Sequence, residues 1–223
     1  MVRKATWGIA LILAFGVTPA LAGPWSAPSG TAGDFTYSNG GDNNGLFGDP
    51  FIFGNQFVFS TAFSVLASGG ATDDKSDVVS FDAVADAGLF FSGVTVSAIG
   101  SYAISGDGSV DVDAEISMQE NGGLGRTFSD SLLTSPAFPR TAGQGTWNGN
   151  AAVSVTTVFP TPHNDIHFEL STDMMAISGP GGSAQLNVQF ESLQIDFIVI
   201  PEPASLSMVA VAGLLMIRRR RRR

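Results

Sequence analysis

The sequence predicts an all-β protein: a single β-sandwich of jelly-roll type, followed by one C-terminal transmembrane helix. Three observations carry this. Glycine is frequent, at 27 residues, helix formers are thin, and Val, Phe, Ser and Thr recur with the period of two that sends alternate side chains to opposite faces of a strand. Turn-forming Gly, Asn, Asp and Pro separate about eight to ten such runs at regular intervals, as in sandwiches. Cysteine is absent, so no disulfide contributes and an apolar core must hold the domain together. A barrel is the alternative closure. An outer-membrane barrel fits less well, because the acid-rich run 110–118 alternates toward water and not toward lipid.

Taken in order, the chain opens with Arg3 and Lys4, an apolar stretch over 5–17, and Ala20 and Ala22 at the two small positions a signal peptidase inspects. Residues 1–22 therefore read as a secretory signal peptide, and 23–199 as the sandwich ectodomain. The stretch 23–50, rich in Gly, Asn, Ser and Pro, is expected to be a loosely ordered lead-in with one strand near 34–37. From 51 to 65, Phe51, Phe53, Phe57, Phe59, Phe63 and Val65 fill the odd positions, predicting one buried aromatic face. Gly54-Asn55 interrupts this run as a bulge or a tight turn. Asp73-Asp74-Lys75-Ser76-Asp77 reads as a hairpin loop. Further strands are expected at 78–84, 88–96, 98–104, 109–118, 151–159, 166–170, 174–177 and 184–199, with a long loop over 120–145. In the last strand Leu186, Val188 and Phe190 are apolar at even positions and Leu193, Ile195, Phe197 and Val199 at odd ones. This predicts a bulge or corner near Glu191-Ser192 that lets one long strand serve two parts of the sandwich.

After residue 199 the chemistry changes. Pro201-Glu202-Pro203 precedes an uncharged apolar run, 204–217, and then Arg218, Arg219, Arg220, Arg221, Arg222 and Arg223 end the chain. The prolines isolate the run from the preceding strand. A helix over it reaches about 21 Å at about 1.5 Å per residue, against about 30 Å of bilayer core, so it is a short anchor. The arginines stop transfer and stay cytoplasmic, giving N-out topology. This order of elements resembles the PEP-CTERM sorting domain of Gram-negative bacteria, and the resemblance covers 200–223 alone. It implies processing by an exosortase after signal peptidase has acted, at least transient residence in the inner membrane, and delivery to the cell surface or to an exopolysaccharide or biofilm matrix.

Of the 11 Lys and Arg, eight lie in Arg3, Lys4 and the terminal cluster, leaving Lys75, Arg126 and Arg140 against 19 acids, a net charge of −16 on the ectodomain. That excludes nucleic acid, since each phosphate contact needs a cation. No thiol, Gly-x-Ser-x-Gly elbow or phosphate-cradling loop is present, and Gly143-Gln144-Gly145 lacks the helix of a dinucleotide site. The chain therefore reads as a non-enzymatic exported protein of the envelope or matrix without a cofactor. The alternatives are a glycan-binding module with weak calcium dependence and an enzyme acting on polysaccharide. Calcium would be held in the Asx-rich loop by Asp42, Asn44 and Asp49, where oxygen ligands sit beside a glycine turn. A sugar ring would stack on Trp147, flanked by Gly145 and Gly149, with Trp25, Tyr37 and Tyr102 as lesser platforms. His163 and His167 are expected to face solvent at a strand entrance, too far apart in a strand for one zinc ion.

Overall fold

The computed structural model describes residues 23–60, 63–122, 125–139, 142–155, 163–189 and 192–202. These form strands β1 (Gly23–Pro24), β2 (Gly30–Ala32), β3 (Phe35–Asp42), β4 (Pro50–Phe53), β5 (Gln56–Phe59), β6 (Phe63–Ser68), β7 (Thr72–Ala85), β8 (Leu89–Ser105), β9 (Gly108–Glu120), β10 (Thr127–Ser131), β11 (Leu133–Ser135), β12 (Gly143–Ser154), β13 (Asp165–Ser178), β14 (Ser183–Val188) and β15 (Leu193–Pro201). No helix among the described residues is long and apolar enough to cross a membrane. The expected signal peptide over 1–22, Pro203, the apolar run over 204–217 and the arginines 218–223 lie outside the described residues.

Two antiparallel sheets pack face to face. The seven-stranded sheet runs β1-β3-β7-β13-β9-β10 with β2 on β3. The eight-stranded sheet runs β11-β12-β8-β15-β5-β4, with β14 beside β8 and β6 beside β14. Pairing is nested: β5 and β6 meet β15 and β14, β7 meets β13, and β8 meets β12, all folding around β9. Alternation in sequence becomes alternation in burial. Along β9, Val110, Val112, Ala114, Ile116 and Met118 turn inward while Asp111, Asp113 and Glu115 face water.

Aromatic rings join the sheets. Phe81 of the seven-stranded sheet stacks on Phe57 of the other at 4.7 Å and meets Phe197 at 5.6 Å, and Phe35 touches Phe91 at 5.3 Å. Each fully buried ring contributes about 1.5–3 kcal/mol from burial, and each well-placed pair about 0.5–1.5 kcal/mol more. This cluster does what a disulfide would otherwise do.

Several expectations need correction. The stretch 23–50 is built into the core: Trp25, Phe35, Tyr37 and Phe47 are all buried. Gly40 makes this possible, because a Cβ there would strike the Trp25 ring. The acidic stretch 73–77 is not a hairpin loop but part of β7, and 120–145 holds β10, β11 and the start of β12. The runs 88–96 and 98–104 are one strand, β8, as 166–170 and 174–177 are one strand, β13. Gly54-Asn55 is a tight turn, with Gly54 at φ 57°, joining β4 to β5. The phase switch before Leu193 is present, yet β14 and β15 do not divide between sheets: both pair with the same edge of β8.

Candidate functional site

The switch creates the site. β14 pairs with Gly100–Ser105 of β8 and β15 with Leu89–Ser97, so the edge of β8 between them has no ladder partner. The Ile99 carbonyl, left over, accepts the Gln189 amide at 2.9 Å and is also reached by the Ser192 hydroxyl at 2.7 Å. The sheet opens there into a notch of about 340 Å³ on its outer face, lined by Ser97, Ala98, Ile99, Asn148, Asn150, Gln189, Ser192 and Gln194. Among the described residues, no charged side chain lines it. Asn148 and Asn150 face outward because the neighbours they alternate with, Trp147, Gly149 and Ala151, are buried, and register sets them opposite Ile99 and Ser97. Gln194 is steadied by Gln56, whose Nε2 donates to Gln194 Oε1 at 3.2 Å. Among the described residues, the amides of Asn148, Asn150 and Gln189 have no intramolecular side-chain hydrogen bond. Each primary amide offers two donors and an acceptor within one plane, which suits adjacent hydroxyls that both give and accept. Ile99, 48% exposed, supplies an apolar floor.

The surrounding outer face is equally neutral. Along β5, β15, β8 and β12 the outward positions are Gln56, Val58, Gln194, Asp196, Ile198, Thr95, Ser97, Ile99, Ser101, Ala103, Gln144, Thr146, Asn148, Asn150, Ala152 and Ser154, with Asp196 the one carboxylate. The outer face of the other sheet carries Asp74, Asp82, Asp111, Asp113, Glu115, Asp165, Glu169 and Asp173, and Asp113 lies directly opposite Asp173. Asp82 is the best supported of these. It accepts Asn39 Nδ2 at 2.7 Å, Nδ1 of His167 lies 2.8 Å from it, and Asn121 Nδ2 is 3.4 Å away. Partial burial pushes its carboxyl up, but these hydrogen bonds and the histidine outweigh burial and hold it below the ordinary value.

The residues singled out from the sequence are placed otherwise. Trp147 is 2% exposed and cannot stack on a sugar. Its ring lies inside, Nε1 donates to the Asn187 carbonyl at 3.2 Å, and Phe138 covers it at 5.9 Å. Gly100, directly across the ladder, admits the indole where a Cβ would collide with it. Trp25 and Tyr37 are buried too, and half-buried Tyr102 packs against Phe138. Asp42, Asn44 and Asp49 do not converge. Buried Asp42 accepts the amides of Phe47 and Gly48, the Asn44 backbone and side chain turn to Asp77 and Ser76, and Asp49 accepts the Ser26 amide at 2.6 Å. These carboxylates fasten the loop 42–49, and burial raises the Asp42 pKa above its ordinary value, with Asp77 adding to the rise. Among the described residues no group of three or more His, Asp or Glu is arranged to hold a metal ion.

His163 is buried, not solvent-facing. It pairs with the buried Glu120, which Arg126 reaches at 3.5 Å, beneath the Phe128 ring. This trio closes the turn between β9 and β10 and presents little surface to a substrate. A gap of about 20 Å³ between the sheets is lined almost wholly by apolar side chains and is too small for a ligand. Of the Pro201-Glu202-Pro203 stretch, Pro201 ends β15 opposite Leu89, and the Glu202 amide donates to the Gly88 carbonyl at 2.9 Å.

Sequence reasoning missed the amides of the notch. Their signal was the alternation Gln144, Thr146, Asn148, Asn150 against Gly145, Trp147, Gly149, Ala151, which marks a strand whose outward face is polar without charge.

No protein-family model and no curated protein matches this chain. Among solved structures it is similar to TmCBM61 in complex with β-1,4-galactotriose, at 14% identity and TM-score 0.27, over 80% of this chain and 92% of that one. It is also similar to the enzymatically active domain of bacteriophage CBA120 tailspike protein 4, at 15% identity and TM-score 0.24, over 82% and 22%. A third is the N-terminal cellulose-binding domain of Cellulomonas fimi β-1,4-glucanase C, at 14% identity and TM-score 0.19, over 62% and 88%.

Proposed function

We propose that this chain is a non-enzymatic exported protein of the envelope or extracellular matrix, delivered through its PEP-CTERM-like tail, whose sandwich binds neutral polysaccharide at the notch between β14 and β15. One observation supports the binding reading: a concavity lined by four uncharged amides lies on an outer face where, among the described residues of β5, β15, β8 and β12, Asp196 is the one carboxylate, while the opposite face is crowded with them. Neutral glycans present dense hydroxyls and no charge, so they match the first face and gain nothing from the second. The nested strand pairing supports a jelly-roll reading of the sandwich.

The test is affinity electrophoresis of the mature protein through gels holding the host exopolysaccharide, a neutral β-glucan, a neutral galactan or polygalacturonate. Retardation by a neutral polymer is expected. Each lost hydrogen bond costs about 0.5–1.5 kcal/mol, so Asn148→Ala with Asn150→Ala weakens binding about tenfold. Retardation by polygalacturonate alone, or a double variant that binds as the parent does, overturns the reading. Delivery is tested separately by the intact mass of the cell-associated form, expected to lack most residues after Pro203. Surface display of Glu202→Ala with the arginine cluster retained would leave only a plain anchor.

A further inference from the structure

We infer that, while the tail is still attached, the C-terminal end of the sandwich rests on the lipid surface through Phe53, Ile198 and Ile200. The inference rests on the reading of the tail as a membrane anchor and is independent of glycan binding. These side chains are 66%, 46% and 38% exposed. Phe53 stands opposite Gln56, which stands opposite Asp196, two residues before Ile198, so Phe53 and Ile198 share the outer face of the eight-stranded sheet. Past a register shift after Ile198, exposed Ile200 follows at the end where the chain leaves the sheet. Phe51, 54% exposed, lies beside them on edge strand β4.

The tether is short. An extended chain covers at most about 3.3–3.6 Å per residue, so Ala204, where the apolar run begins, is within about 14 Å of Ile200. The headgroup zone on each side of the hydrocarbon is about 5–8 Å thick. A run that enters the bilayer at Ala204 therefore keeps Ile200 within about 14 Å of the hydrocarbon edge, and a domain leaning onto its outer face brings Ile198 and Phe53 to the interface with it. Because the run is shorter than the hydrocarbon core, mismatch draws the domain inward, and a ring with two branched side chains is what an interfacial contact requires. Asp34, Asp86, Asp196 and Glu202 border the same end: the Asp86 amide donates to the Asp34 carbonyl, and Glu202 docks on Gly88. They repel anionic headgroups, so the partner is a zwitterionic lipid surface.

The chain has no cysteine, so single labels are clean. The mature chain with its tail intact is prepared as F53C, I198C and L133C, the last at a 75% exposed position on β11, across the sheet from β4. Each is nitroxide-labelled and mixed with phosphatidylcholine vesicles, with and without phosphatidylglycerol. Labels at 53 and 198 are expected to become more accessible to oxygen than to an aqueous nickel complex, while that at 133 stays aqueous. Losing the burial of one large apolar side chain makes F53D partition about tenfold more weakly, with L133D unchanged and phosphatidylglycerol weakening the contact further. If the parent partitions but labels 53 and 198 remain as aqueous as 133, the docking is wrong and the anchor stands. Labels at 53 and 198 that are immobilised with and without vesicles place protein over the patch, and the docking falls. Failure of the parent to partition removes the anchor and the docking together.

Discussion

The outer faces of the two sheets share one aromatic core and differ in almost every solvent-facing group. On the seven-stranded sheet the outward positions of β7, β13 and β9 are studded with carboxylates, and Asp113 faces Asp173 across the ladder. On the eight-stranded sheet the outward positions hold mostly amides, hydroxyls and small or apolar residues, with Asp196 the carboxylate along β5, β15, β8 and β12, and the notch interrupts them. The inward residues decide that both sheets form. The outward ones are free of that duty, and the way they are spent separates a strongly acidic face from a nearly uncharged one.

The largest perturbation should abolish the distinction. Phe81 contacts both sheets, and Phe81→Ala is expected to cost about 3–5 kcal/mol, with both faces lost in one transition. Coincident denaturation curves from a label on β9 and one on β12 would show this, whereas separate midpoints would mean that the sheets stand independently. Next in size, Asn150→Asp places a carboxylate on the neutral face. It is expected to weaken neutral-polysaccharide retardation about tenfold, while Asp173→Asn on the acidic face leaves retardation unchanged. A smaller effect comes from relieving the acidic pair: Asp113→Asn should stabilise by about 0.2–1 kcal/mol at low ionic strength, a gain that fades as salt screens exposed charges.

The smallest contrast is in pH. Asp82 has a depressed pKa, so its contribution is present above the ordinary carboxylate range and is lost as pH falls through the depressed value. Asp42 has a raised pKa, mainly from burial, so its contribution is present only below the ordinary value and is lost as pH rises through the raised one. At neutral pH, Asp82→Asn should therefore lower Tm and Asp42→Asn, which keeps an acceptor for the Phe47 and Gly48 amides, should raise it. Both differences should vanish in acid. Thermal melts across that range check the signs.

What the sequence made legible follows local periodicity. The alternation over 51–65 marked strands on either side of Gly54-Asn55, with Phe57, Phe59, Phe63 and Val65 buried as expected but Phe51 and Phe53 exposed on edge strand β4, and the change of phase before Leu193 located the break that opens the notch. What it hid depends on partners distant in the chain. The stretch 73–77 looks like a loop because aspartate disfavours strands, yet Asp74 belongs to the charged outer face. Asp77 turns inward because its carboxylate is taken by the amides of Asn44 and Leu46. Glycines beside Trp147 suggested an exposed ring, but the residue that decides its burial is Gly100, across the ladder. His163 looked solvent-facing until Glu120 closed over it.

The nesting of the strands also governs when the domain can exist at all. β5 must wait for β15, and the unpaired edge of β8 must wait for β14 and β15, which are the last strands before the tail. Contacts this remote in sequence close late and slowly. Until residues 193–201 are available, Phe57 lacks Phe197 and the eight-stranded sheet is split, so a chain still missing that segment has no finished core. Folding is completed by the segment that leads directly into Pro201 and Glu202, which ties the birth of the domain to the arrival of its own end.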